Sequence, residues 1–330
     1  MIHRRSILTS ALVALVQAKG HRFAWAQAKS SRKRPVIARL SEGVTTPAGV
    51  AWFREAMNAL GHSDFAFEIR DAAGQFERLP QMAMELVQLP VDVIWTSGSY
   101  ATEVAQQATR TIPIVMVSAD AVAGGIVTNL ARPGGNVTGL SLVGTELVHK
   151  RLELVKELFP RASNVVAAAP VGAIGVRVVK SWWEEVRKGA AALRMSAQYA
   201  EFDEDARRWD EQYAGFARQP GTVMSPIESP ALLQQAELLA ELALKHRLPA
   251  VYAFPQHVQA GGLCAYGFAT KYLYTRPAYY VSRILRGAKA GDLPVELPST
   301  YELSINMKTA SAMGLEVSQR LRLRASELVS

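Results

Sequence analysis

Cysteine is almost missing: Cys264 is the single one in 330 residues, which excludes a disulfide framework and any zinc or iron–sulfur site built from several thiolates. Histidine is scarce too. The six (His3, His21, His62, His149, His246 and His257) include no pair at the spacing of a metal-binding helix, so no metal is expected. Phosphate-cradling and nucleophile signatures are lacking as well. No Gly-x-Gly-x-x-Gly follows a strand, and there is no Gly-x-x-x-x-Gly-Lys-Ser/Thr loop and no Gly-x-Ser-x-Gly elbow. Cys264 sits in an apolar run with nothing beside it to lower its pKa, so it reads as a small buried hydrophobe. The chain is therefore read as a non-enzyme without a cofactor.

Acidic residues are absent from the first 34 positions, which hold eight of the 37 lysines and arginines. The rest of the chain carries 29 basic and 29 acidic residues and is formally neutral, so the net charge of +8 does not point to nucleic acid as a partner. The basic head His3-Arg4-Arg5 precedes an apolar run, Ser6 to Val16, too short for a permanent membrane anchor. Residues 1–28 read as a signal peptide, twin-arginine-like in Arg-Arg-Ser-Ile-Leu, with small residues at Ala24, Ala26 and Ala28 for cleavage. General secretion is the alternative route. No cysteine in this leader offers a lipid tether, and no later apolar run reaches the roughly 18–20 residues of a membrane helix. A cleaved periplasmic product, not membrane-anchored and monomeric, is expected.

What the sequence does hold is alternation. Short β-branched runs at Val36–Leu40, Phe65–Arg70, Val91–Thr96, Ile114–Val117 and Val137–Leu140 frame helical segments at Pro47–Leu60, Glu77–Gln88 and Tyr100–Ala108. Leu79, Met82, Ala83, Leu86 and Val87 recur at helical spacing and give one apolar face. Strict alternation of strand and helix implies parallel strands with right-handed crossovers. A second series follows, with helices at Glu146–Leu158, Val176–Leu193, Glu204–Ala217 and Pro230–His246 and strands at Val165–Ala169, Ser196–Ala200, Thr222–Ser225 and Ala250–Tyr252. The last third adds a strand at Leu263–Tyr266, a helix at Tyr272–Arg286, an extended Leu293–Asn306, and helices near Met307–Met313 and Gln319–Leu328. The expected fold is α/β: two doubly wound parallel-sheet lobes joined by a multi-strand hinge, one from 36–140 plus 268–298 and the other from 141–267 plus 299–330.

Ligands of open α/β sheets dock at loops beyond the carboxyl ends of the strands, which selects the candidate residues. Ser97-Gly98-Ser99-Tyr100 after the third strand combines hydroxyls, a glycine and the N–H groups of a starting helix, which suits a carboxylate; an ordinary N-cap is the alternative. Ser41 and Glu42 end the first strand, Glu42 being either a contact or a solvated loop charge, and Ser118 and Asp120 the fourth; Asp120 either accepts from a ligand ammonium or caps its own turn. From the second series come Gly172, Ser225, Glu228, Tyr252, Phe254 and Gln256, with Tyr100, Tyr252, Phe254 and Tyr266 as flat apolar walls or, each taken singly, as core residues.

Leu130-Ala131-Arg132-Pro133-Gly134-Gly135-Asn136-Val137-Thr138-Gly139, Lys150-Arg151-Leu152-Glu153-Leu154, Ala260-Gly261-Gly262-Leu263 with Tyr266-Gly267, and Arg283-Ile284-Leu285-Arg286-Gly287 before Leu293-Pro294-Val295 occur in that order. Together they resemble the ABC-transporter substrate-binding proteins related to tryptophan- and tyrosine-binding receptors, from about Pro35 to the C-terminus. The resemblance implies a type I periplasmic-binding-protein fold, a cleft that closes on a small solute, and delivery to an ABC permease driven by its ATPase. It carries over Ser97, Gly98 and Ser99 as a small polar loop, and Asp120 with Val122 and Gly125 as a loop in which Ala121 replaces a proline. Pro170-Val171-Gly172 stands where the family commonly has Asn-Pro, and Pro255, Gln256 and His257 where it often has an Arg-Glu pair. The implied ligand is an aromatic or branched amino acid, or a related carboxylic acid with fewer charges. A periplasmic sensor for a membrane signalling partner, and an enzyme on the same scaffold, are the alternatives.

Overall fold

The computed structural model describes residues 34–142, 145–170 and 176–330. The segment read as a signal peptide and Gly172 lie outside them.

In β1 (Val36–Ser41) neighbouring side chains point to opposite faces. Ile37 packs with Phe53, Phe65, Trp95 and Val115 on one side, while Ala38 and Leu40 meet Leu79, Ile94 and Met116 on the other. Both faces are thus buried under helices, the condition of a parallel sheet. β1 joins β2 (Ala66–Asp71), β3 (Val93–Ser97), β4 (Ile114–Ser118) and β5 (Val137–Ser141) in a wholly parallel sheet of order β2-β1-β3-β4-β5. The order reverses between β1 and β3, and the carboxyl ends of those strands form the crevice where such sheets take ligands.

The second lobe repeats the plan. β6 (Asn164–Pro170), β7 (Ser196–Phe202) and β8 (Thr222–Pro226) are parallel in the order β7-β6-β8. β9 (Val251–Tyr252), β10 (Cys264–Gly267), β11 (Glu302–Asn306) and β12 (Glu327–Val329) continue it in the order β12-β11-β10-β9, tied to β8 by a Met224–Ala250 bridge. β11 runs antiparallel to β10. One large core, including Val166, Trp182, Phe202, Tyr213, Leu239 and Ile305, underlies this lobe. Cys264 lies within it, and burial pushes its thiol up to about 12, in keeping with a packing role.

Three segments pass between the sheets: one after β5, one after β10 and one before β11. Helix Thr270–Leu285 returns the chain to the first lobe, packing on helix Pro47–Ala59 and on β3 and β4. Residue 296 then runs beside β5, its N–H donating to the Gly139 carbonyl (2.9 Å) and its carbonyl accepting from the Ser141 N–H (2.9 Å). Arg276 Nε donates to the Glu296 carboxylate (2.7 Å), fixing the helix to this crossing strand.

Several segments depart from the sequence reading, among them a 3₁₀ turn at Phe76–Arg78 where the helix over 77–88 was expected to start. The helix expected over 204–217 is a 3₁₀ turn at Ala206–Arg208 followed by a helix at Trp209–Ala217. That expected over 230–246 is broken at Gln235 into Pro230–Gln234 and Ala236–Lys245. The last helix stops at Arg324, and Glu327–Val329 pairs with β11 because the Ser326 N–H donates to the Leu303 carbonyl (2.7 Å) and draws the chain into the sheet.

Candidate functional site

A cavity of about 470 Å³ lies at the β1/β3 crevice and draws its wall from both lobes. From the first lobe come Ser41 and Glu42 beyond β1, Ser97, Gly98 and Ser99 beyond β3, and Ser118 beyond β4. From the loops of the second sheet come Glu228, Phe254 and Gln256. Nine of the residues expected from sequence are therefore gathered around one space.

The chemistry inside the loop differs from the expectation. Glu42 is almost wholly buried, and its Oε1 accepts from the Tyr100 N–H (2.7 Å) and the Ala101 N–H (3.3 Å). The start of helix Ser99–Ala108, expected to receive a ligand carboxylate, is already filled by the protein's own. Gly98 makes this possible: its φ is +110°, and a Cβ there would fall 2.0 Å from the Glu42 carboxyl carbon. Burial pushes the Glu42 carboxyl up to about 8, against the pull of the two N–H groups. Ser99 is likewise engaged, its Oγ accepting from the Ser118 hydroxyl (3.0 Å) and the Ala119 N–H (3.1 Å). These hydroxyls brace β4 against the helix start.

Four expected residues stand elsewhere. Asp120 Oδ1 accepts from the Val122 and Ala123 N–H groups (3.2 and 2.9 Å), so it caps its turn and does not line the cavity. Ser225 is buried within β8. Tyr252 is buried in the second-lobe core, stacked on the ring of His257 at 4.5 Å, with its hydroxyl donating to the Leu239 carbonyl (3.3 Å). Tyr100 lines a separate crevice of about 590 Å³ with Phe76, Glu77, Glu204 and Trp209. Each was chosen for closeness to a strand end, and strand pleat or turn geometry sends its side chain away.

The sequence reading missed Arg39, Trp52 and Tyr274. Arg39 is 2% exposed and stacks its guanidinium on Trp95, 3.9 Å from the ring centre, with Tyr274 at 5.1 Å. Its Nε donates to Thr45 Oγ1 (2.7 Å), whose own hydroxyl donates to Asp71 (2.7 Å). Burial lowers its pKa, with Tyr274 and Asp71 opposing the shift. A charge inside the run Val-Ile-Ala-Arg-Leu was the available signal, since buried charge is costly unless it serves something. Trp52 and Tyr274 arrive from helix Pro47–Ala59 and helix Thr270–Leu285, brought together by a long-range crossing that no local pattern announces.

Arg151 and Glu228 form an ion pair with both side chains 2% exposed. Arg151 Nε also donates to the Tyr266 carbonyl (2.7 Å), joining helix Thr145–Leu158 to β10. Three residues of the cavity wall each hold a buried polar atom without a hydrogen-bond partner: Arg39 Nη1, Glu228 Oε2 and Gln256 Oε1. Among apolar neighbours such as Trp52, Leu233, Phe254 and Leu273 they leave one donor and two acceptors to be satisfied.

Two α/β lobes enclosing an apolar space with a few convergent polar groups define a class, the two-lobed binding proteins. The chain belongs to the ABC transporter substrate binding protein family, whose model matches residues 36–329. A tyrosine-binding protein of Clostridioides difficile is 23% identical over 85% of this chain and 80% of its own length. Among solved structures, an ABC domain in complex with L-Trp from Streptococcus pneumonia superposes with a TM-score of 0.81 at 19% identity, covering 90% of this chain and all of that one. A ligand-free, open substrate-binding protein from Clostridium difficile gives 0.64 at 20% identity, covering 90% of this chain and 99% of that one. Membership implies a small-molecule ligand and a transporter permease as partner. Among the described residues no helix is long and apolar enough to cross a membrane.

Proposed function

We propose that the chain is exported to the periplasm, loses residues 1–28, and serves there as the monomeric receptor of an ABC importer. It holds an aromatic or branched amino acid, or a related carboxylic acid, between its lobes and hands it to the permease, whose ATPase drives uptake. Residues 36–140 with 268–298 form the first lobe in this reading, and 141–267 with 299–330 the second. The observation that carries it is the cavity at the β1/β3 crevice: apolar walls from both lobes, three unsatisfied polar atoms, and a volume suited to one small organic molecule. A solute touching both lobes gains its second-lobe contacts only when they approach, so it favours closure. The tyrosine- and tryptophan-binding relatives support the solute class.

A thermal-shift screen of residues 29–330 against aromatic amino acids, branched amino acids and aromatic acids tests the reading. A ligand at a hundredfold excess over its Kd stabilises by about 2.7 kcal/mol, a shift of a few degrees. Stabilisation by one of these classes, with the compound recovered unchanged, is the expected result. Conversion of the compound, or no shift with any of them, overturns it.

A further inference from the structure

The site's charge balance, resting on the receptor reading above, narrows the ligand. The acidic and basic side chains on the cavity wall are Arg39, Glu42 and Glu228, with the Tyr274 phenol beside Arg39. Glu228 is neutralised by Arg151. Glu42 is turned onto the Tyr100 and Ala101 N–H groups, and its burial favours the neutral acid at neutral pH. Asp71, the acid whose charge acts on Arg39, accepts from the Thr45 N–H and hydroxyl and is joined to Arg39 only through Thr45. Arg39 is left as a held, desolvated cation: Nε is tied to Thr45, the face lies on Trp95, and Nη1 has no partner. A guanidinium so fixed is matched by an anion that reaches it through the cavity.

We propose that Arg39 is the anion-binding group of the cavity, that Glu42 closes the helix start to ligand acids, and that the ligand is a monocarboxylate with a flat apolar body. The acid group meets Nη1, and the body lies along the aromatic wall of Trp52 and Tyr274. Hydroxyl or amine donors at its far end would suit Glu228 Oε2 and Gln256 Oε1, and they are secondary to the acid contact.

Calorimetric titration of the chain with phenylacetate, indole-3-acetate, their neutral amides, phenylalanine and tryptophan tests this, with Arg39→Met and Arg39→Lys beside the natural chain. The acids are expected to bind at least 30-fold more tightly than their amides. In R39M that preference should shrink to threefold or less, and in R39K part of it should return. A merely structural role for Arg39 would weaken acid and amide alike. Should R39M fail to fold, the acid-to-amide ratio of the natural chain still decides: parity overturns the proposal. Tight binding of the amino acids with no acid-over-amide preference, or with affinity unchanged in R39M, overturns it while leaving the receptor reading intact. Binding by none of the six overturns the proposal, and the wider thermal-shift screen then decides the receptor reading separately.

Discussion

Glu42 decides how the cavity's first-lobe loop behaves, and its protonation gives a signed prediction. With a folded pKa near 8 against an ordinary value near 4.5, the native chain keeps a proton that the unfolded chain gives up. That contribution is complete below pH 4.5 and lost as pH rises through 8, at up to about 1.4 kcal/mol per pH unit. His257 acts in the opposite sense. Burial holds it down to about 4 against 6.5, so its contribution is present above 6.5 and lost as pH falls through 4. The two slopes oppose each other between about 4.5 and 6.5, leaving a decline from 6.5 to 8. Glu42→Gln, which still accepts from both N–H groups, is expected to flatten that decline in urea unfolding measured from pH 6 to 9. Gly98→Ala would force φ +110° on an alanine and drive its Cβ into the carboxyl group, at a cost of roughly 2–4 kcal/mol visible as a lower urea midpoint. Asp120→Ala should lose only a turn cap, about 0.5–2 kcal/mol of stability, with ligand affinity changed less than threefold in calorimetry. At this scale the sequence was half legible. Ser97, Gly98 and Ser99 are recognisable as a loop at a helix start, but which carboxylate occupies that start depends on the approach of β1 to β3. Arg39 was overlooked because a strand interior is read by its apolar majority.

Elements were easier to read than side chains, because pleat and helical periodicity are local. β1, β4 and β5 end within one residue of their expected limits, and the helices around the first sheet begin within two. Failures collect where distant pairing overrides local pattern. Leu321, Leu323 and Leu328 suggest one helix, yet β11 captures 327–329 as a strand. The long helix expected over 230–246 is capped separately at its start by Ser229, whose Oγ accepts from the Ala231 N–H (3.2 Å), and breaks at Gln235. Gly139 makes a testable element. It pairs with Met116 inside the first sheet at φ +127°, where a Cβ would lie 2.2 Å from the Met116 carbonyl oxygen. Gly139→Ala should separate β4 from β5 and lower stability by roughly 2–4 kcal/mol in chemical unfolding. Amide exchange is expected to quicken in 114–118 and 137–141 before it does in β1.

For the whole molecule, the three crossings and the Arg276–Glu296 contact place the hinge beside β5, at one edge of the first sheet. Under the proposed reading, motion about that edge opens or shuts the cavity, and Leu142, Leu147, Ala253 and Phe254, which share a buried cluster with Phe53 and Trp95, lie where the two lobes meet. Small-angle scattering of residues 29–330 is expected to show a smaller radius of gyration with a saturating ligand than without. An unchanged radius alongside a clear thermal shift would put binding and closure on different footings. The two series of parallel strands were readable because the alternation restarts after Gly139. The crossings were readable only in part, because Leu293–Asn306 shows its extended character locally but not which sheet each end joins.

The aromatic wall also equips the protein with a built-in optical probe. Trp52 is half-buried on the cavity surface, edge-on to Tyr274 at 6.0 Å, and Trp95 lies beneath Arg39. Trp182, Trp183 and Trp209 sit in the other lobe, away from that wall. A molecule entering the cavity would displace solvent from the Trp52 indole and shift its emission, so occupancy could be followed by fluorescence without any attached dye.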